Sequence, residues 1–138
     1  MGGFPGDPRW ADAALALADV EAERGRAPRA QELWRAVAAR PDLPAERGVT
    51  ASLALGESLR RTSAAQALEE WQRCATRHAA AAPGARCRLV RAKALAEAGR
   101  AADASSELVA LLANPARDVE TTRAALSLLA STAKKGRP

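Results

Sequence analysis

Histidine and tyrosine are scarce in this 138-residue chain, which has one histidine and no tyrosine. The single histidine, His78, has no serine, cysteine or carboxylate placed by the sequence to work with it. No glycine-rich phosphate loop joins a strand to a helix, and no strand pattern is present at all. We therefore predict a protein that is not an enzyme, has no catalytic residues and binds no cofactor.

Cysteine is also scarce, with only Cys74 and Cys87 in the chain. Together with His78 they would offer three metal ligands, one fewer than a structural zinc site normally needs. We therefore predict that the protein holds no metal ion.

Long apolar runs are missing as well, since no stretch of about 18 apolar residues is present to cross a bilayer. The first residues, Met-Gly-Gly-Phe-Pro-Gly-Asp, lack the basic and apolar regions of a secretion signal. We expect a cytoplasmic protein with no membrane partner. Abundant alanine and arginine are typical of a GC-rich genome and favour a bacterial source.

What the sequence does contain is a pattern that recurs every 37 residues. Each copy has a turn residue, a small residue, a large residue, an apolar residue and a terminating residue. These are Gly25, Ala30, Trp34, Val37 and Pro41 in the first copy, Thr62, Ala67, Trp71, Cys74 and His78 in the second, and Gly99, Ala104, Leu108, Leu111 and Pro115 in the third. Apolar residues at helical spacing precede and follow each turn, which predicts a chain of helical hairpins.

This pattern resembles the tetratricopeptide repeat family, in which a glycine turn, a small residue, two apolar positions and a closing proline have the same spacing. The resemblance implies an all-α fold, a right-handed α-solenoid of about three and a half tetratricopeptide-like helix-turn-helix repeats. We expect one domain over residues 1–138. Its parts would be repeats at about 8–41, 45–78 and 83–115 and a capping helix at 116–133. The alternative for this last helix is that the chain is a fragment of a longer repeat array.

The sequence predicts seven helices. Proline residues and residues suited to N-caps indicate where several of them begin. Asp7 and Pro8 are suited to begin the first helix, as N-cap and first helical residue. The second would begin near Pro28, and the third would cover about residues 45–60. Thr62 or Ser63 would cap the fourth helix.

Cys74 aligns with the apolar positions Val37 and Leu111 of the other copies. We therefore favour a core role for this residue over a disulfide with Cys87. In the cytosol both thiols would stay reduced.

The basic residues are concentrated in one half of the chain. Residues 1–70 contain 9 basic and 11 acidic side chains, whereas residues 71–138 contain 12 and 5. In the family, the first helix of each hairpin lines a concave groove. The resemblance thus implies that Arg86 and Lys93, with Leu89 and Val90 between them, face a partner. The equivalent charged positions of the first copy are Asp12 and Asp19, so the two ends of such a groove would differ in charge.

These features favour a non-catalytic scaffold that binds a peptide or protein segment, such as an acidic one, in a helical groove. The alternative is binding of nucleic acid or another polyanion through the basic second half. Nucleic acid is less favoured, because the first half is acidic and aromatic platforms for bases are lacking. The terminal helix would also be available for oligomer formation.

Overall fold

The computed structural model describes residues 8–135 and is all-helical, with no strand in that range. Its seven helices are α1 (Pro8–Glu23), α2 (Ala27–Ala38), α3 (Ala45–Arg60), α4 (Ala64–Arg77), α5 (Gly84–Glu97), α6 (Ala101–Ala113) and α7 (Val119–Lys135). The predictions of an all-α class and of seven helices are confirmed for these residues. The Asp7 N-cap lies outside them.

The chain divides into two compact units, Met1–Glu70 and Trp71–Pro138. In the first unit α2 packs against both α1 and α3, and in the second unit α6 packs against both α5 and α7. Smaller contacts join α1 to α3 and α5 to α7. Each unit therefore brings together helices that follow one another in sequence, as expected for consecutive hairpins.

Two of the inter-helix turns have the same conformation. Gly25 and Gly99 have φ angles of 76° and 79°, in the left-handed region that glycine adopts without a steric penalty. In the first turn the amide of Arg26 donates to the carbonyl of Glu21 at 2.8 Å, and that of Gly25 donates to Ala22 at 3.1 Å. This is the Schellman pattern of hydrogen bonds, which satisfies carbonyls left free at a helix end.

The second such turn repeats the pattern two repeat lengths later. The amide of Arg100 donates to the carbonyl of Leu95 at 2.8 Å, and that of Gly99 donates to Ala96 at 3.1 Å. The turn between α3 and α4 has no glycine. There the Ser63 amide donates to the carbonyl of Leu59, and the Ser63 hydroxyl accepts from the Gln66 amide at 3.2 Å. The predicted cap at this site is confirmed as Ser63.

The small, large and apolar positions of the 37-residue pattern are all buried. The side chains that are at most 6% exposed include Ala30, Trp34, Val37, Ala67, Trp71, Cys74, Ala104, Leu108 and Leu111. In the second unit Leu108 and Leu111 join Ala85, Ala92 and Ala125 in one core. The large position of each copy, occupied by Trp34, Trp71 or Leu108, therefore lies in the interior, as do the small and apolar positions that follow the same spacing.

The seventh helix begins later than predicted, at Val119 and not at about Ala116. Two side chains that bind backbone amides account for the delay. Asn114 Oδ1 accepts from the amide of Ala116 at 2.9 Å, and Asp118 Oδ1 accepts from that of Thr121 at 2.7 Å. Such side-chain bonds favour turns and N-caps over helix interiors, so Asp118 sets the start of α7.

Cys74 is buried as expected, but the preference for a reduced core cysteine over a disulfide is wrong. Cys74 on α4 and Cys87 on α5 form a disulfide, with Cα atoms 6.0 Å apart, and both are fully buried. Between them the chain turns closely at Gly84, where an added Cβ would collide with the carbonyl of His78. The close approach allowed by glycine brings the start of α5 against the end of α4.

Candidate functional site

A groove of about 380 Å³ lies between α5 and α7 in the second unit. Its lining residues are Leu89, Lys93, Ala124, Ser127, Leu128 and Ser131. Leu89 and Leu128 also pack against the buried core of the unit, so they form a firm apolar floor. The Lys93 side chain is exposed. The groove therefore combines an apolar base with one cation and two hydroxyl groups.

Two of the predicted partner-binding residues, Leu89 and Lys93, thus line the same groove. They do so because α7 packs beside α5, and positions four residues apart lie on one face of a helix. Val90 is half-buried and does not line this groove.

Arg86, one helical turn before Leu89, is engaged with the start of α7. Its guanidinium lies 3.7 Å from Asp118 Oδ2. The hydrogen bond from the Thr121 backbone lowers the pKa of the Asp118 carboxyl, and the nearby Arg86 lowers it further. Asp118 therefore stays ionised, caps α7 and balances the charge of Arg86.

Two further basic residues of α5 are neutralised by α6. Glu107 accepts from Arg88 at 3.2 Å and from Arg91 at 2.6 Å, and all three side chains are mostly buried. The role of Glu107 is not predicted by the sequence. Its spacing from the arginines gives no pattern within one helix, and only the antiparallel packing of α5 and α6 brings the three side chains together.

The acidic residues predicted for the first unit lie on α1, and one of them is paired. Asp12 receives a two-fold hydrogen bond from Arg47 on α3, with Nε 3.1 Å from Oδ1. This contact raises the pKa of Arg47. Asp19 is exposed. Asp12 and Arg86 occupy equivalent positions of the 37-residue pattern. Asp12 pairs with Arg47 on α3, and Arg86 pairs with Asp118 just before α7.

His78 lies just after the end of α4 in a partly buried position, and its Nε2 atom has no hydrogen-bond partner among the described residues. Desolvation by burial lowers the pKa of His78, and the neighbouring Arg77 lowers it further. No group of three or more potential metal-ligating residues occurs within residues 8–135.

The lowered pKa of His78 predicts a loss of stability on acidification. The unfolded chain takes up a proton near the ordinary histidine value of 6.5, whereas the folded protein resists protonation until a lower pH. The free energy of unfolding should therefore fall as the pH drops below about 6.5. Urea unfolding at several pH values between 8 and 5 should reveal this fall, and His78→Asn should reduce it. An identical pH dependence in both proteins would contradict the prediction.

Comparison with known protein families, curated proteins and solved structures gives no match. None of the described helices is both long enough and apolar enough to cross a membrane.

Proposed function

We propose that the protein is a non-catalytic scaffold with a tetratricopeptide-like, right-handed solenoid fold, and that it binds an extended segment of a partner protein between α5 and α7. The observation that carries this proposal is the groove itself, with its apolar floor and exposed Lys93. The buried positions recur every 37 residues, and two Schellman turns recur two such intervals apart, which supports the repeat type.

The composition of the groove favours a partner with alternating apolar and acidic side chains. Leu89 and Leu128 would contact apolar groups, while Lys93 would attract a carboxylate. Ser127 and Ser131 offer hydrogen bonds to the backbone of an extended peptide. Arg86 would contribute less than the sequence predicted, because a ligand carboxylate would compete with Asp118 for it.

The ion pairs of the second unit weigh against the polyanion alternative. Arg86, Arg88 and Arg91 each lie beside an acidic side chain, and Arg100 is paired with Asp103. A phosphate backbone would have to displace these acids, so these four arginines would contribute less to binding of nucleic acid than arginines without an acidic partner.

The cellular compartment of the protein can be tested through the redox state of its two cysteines. The sequence predicts a cytoplasmic location, but the Cys74–Cys87 disulfide weighs against it, because cytosolic thiols are normally kept reduced. The redox state of the two cysteines in cells would distinguish the cytosol from an oxidising compartment.

Reversal of the groove charge tests the proposed function. Lys93→Glu should weaken binding of a fluorescent peptide of alternating Glu and Leu by about tenfold or more, because an attraction becomes a repulsion. Fluorescence anisotropy measures the affinity. Lys134→Glu, an equal charge change at an exposed α7 residue outside the groove lining, should have little effect, and neither change should alter the melting temperature much.

Three outcomes would contradict this proposal. Equal losses in both variants would indicate nonspecific electrostatic attraction, and unchanged binding in Lys93→Glu would remove the groove from consideration. Tighter binding to a DNA duplex of arbitrary sequence than to the peptide, with a steep loss at rising salt, would favour the polyanion alternative.

A further inference from the structure

The outer face of α7 carries large apolar side chains at its surface. Val119 is 74% exposed and Leu126 is 53% exposed, and both line a second cavity of about 530 Å³. Arg117 and Arg123 also line this cavity. Helices that end a repeat array usually present a polar outer face. The surface of α7 instead resembles one that is normally covered by a neighbouring helix.

The repeat pattern indicates what kind of helix would cover this face. Leu126 lies one repeat length after Leu89 of α5. Leu89 of α5 and Leu128 of α7 line the same groove, so the face of α5 that carries Leu89 lies beside α7. In the repeat pattern, α5 and α7 are the first helices of successive copies. The helix that covers Leu126 would by analogy present a residue equivalent to Leu128.

The first helix, α1, carries such a residue at its surface. Leu17 lies three repeat lengths before Leu128 in the sequence, and it is 50% exposed. Val20, one helical turn later, is 40% exposed. Both would be expected to lie against a preceding repeat, and they form an apolar face on α1.

The charges of these two helices are complementary. Helix α1 contains one basic and four acidic residues, whereas α7 contains three basic residues and one acidic residue. On α1, Asp12 is paired with Arg47 and Glu21 is buried beside Arg26, so the exposed acidic charge outside these pairs comes from Asp19 and Glu23. Opposite charge favours the encounter of α1 with α7. Like charge disfavours the contact of α7 with another α7.

We infer that the protein associates with a second copy of itself head to tail, with Leu17 and Val20 on α1 of one copy packed against Val119 and Leu126 on α7 of the next. The contact repeats the observed packing of α7 on α5. Its two surfaces are different, so a pair of copies keeps one free α1 surface and one free α7 surface, to which further copies can add. A contact built on two short helical faces is small, and association should therefore depend on protein concentration.

Sedimentation velocity of the 138-residue chain tests this inference. The average mass should rise with concentration in the wild type. Leu126→Glu and Leu17→Glu each place a charge in the contact and should keep each single variant monomeric. Val109→Glu changes an exposed valine of α6, 57% exposed, and should leave self-association unchanged. Circular dichroism of each variant checks that its helix content is intact.

Mixing the two monomeric variants decides the geometry. Leu126→Glu retains an intact α1 surface and Leu17→Glu retains an intact α7 surface, so an equimolar mixture should form a complex of two chains and no larger species. A wild type that is monomeric at every concentration would overturn the inference. So would a mixture that stays monomeric, or self-association that persists in either single variant.

Discussion

Replacing Trp71 with alanine should lower the free energy of unfolding by roughly 3–5 kcal/mol, because it removes the largest of the fully buried side chains. Trp71 is 1% exposed and occupies the large position of the second repeat copy. The cavity left behind could be filled only by movement of helices that are already closely packed. In a chain of this size the melting temperature should fall by roughly 10 °C or more, which calorimetry or circular dichroism would measure.

A phenylalanine at the same position provides the matched control. The indole Nε1 of Trp71 has no hydrogen-bond partner among the described residues, so Trp71→Phe removes part of the volume but leaves no polar group unpaired. Its loss of stability should be clearly smaller than that of Trp71→Ala. An unchanged melting temperature in the alanine variant would show that the repeat positions have been aligned incorrectly.

The fold could be predicted largely because its determinants are local. Gly25 and Gly99 mark turns that need a left-handed residue, and the spacing from each turn to the buried alanine and the large residue follows from helix geometry. The start of α7 could not be placed as well. Apolar periodicity does not reveal whether Asn114 and Asp118 bind backbone amides or continue a helix, and here both bind amides.

The candidate site could be predicted only in part. Helical spacing places Leu89 and Lys93 on one face, and the structure brings them into one groove. The pairing of Arg86 with Asp118, and of Arg88 with Glu107, depends on which helices lie side by side and at what height. Charge counts along a sequence cannot show this. In the folded protein the three arginines of α5 therefore lie beside acidic side chains that are distant in the sequence.

The Cys74–Cys87 disulfide is contrary to the prediction from the sequence, which favours a core role for Cys74. Alignment with Val37 and Leu111 correctly predicts that Cys74 is buried, but a buried cysteine is equally compatible with a thiol and with a disulfide. The deciding factor is the distance to Cys87. That distance depends on how closely α4 and α5 approach, which Gly84 permits by the absence of a side chain.

Removing the Cys74–Cys87 disulfide should lower the free energy of unfolding by about 3 kcal/mol. The bond closes a loop between residues 13 apart, and such a cross-link stabilises the fold mainly by restricting the unfolded chain. Urea unfolding of the wild type with and without a reducing agent would measure this contribution. Reduction removes no side-chain atoms, so it leaves no cavity in the core.

The double variant Cys74→Ala, Cys87→Ala separates the cross-link from other effects of the reductant. Its stability should be low and should not change on reduction, whereas the wild type should fall towards it. Because alanine also leaves small cavities in the core, the variant should be slightly less stable than the reduced wild type. If an alkylating reagent labels two thiols in the unfolded but unreduced wild type, or if reduction leaves its unfolding curve unchanged, the disulfide does not contribute as proposed.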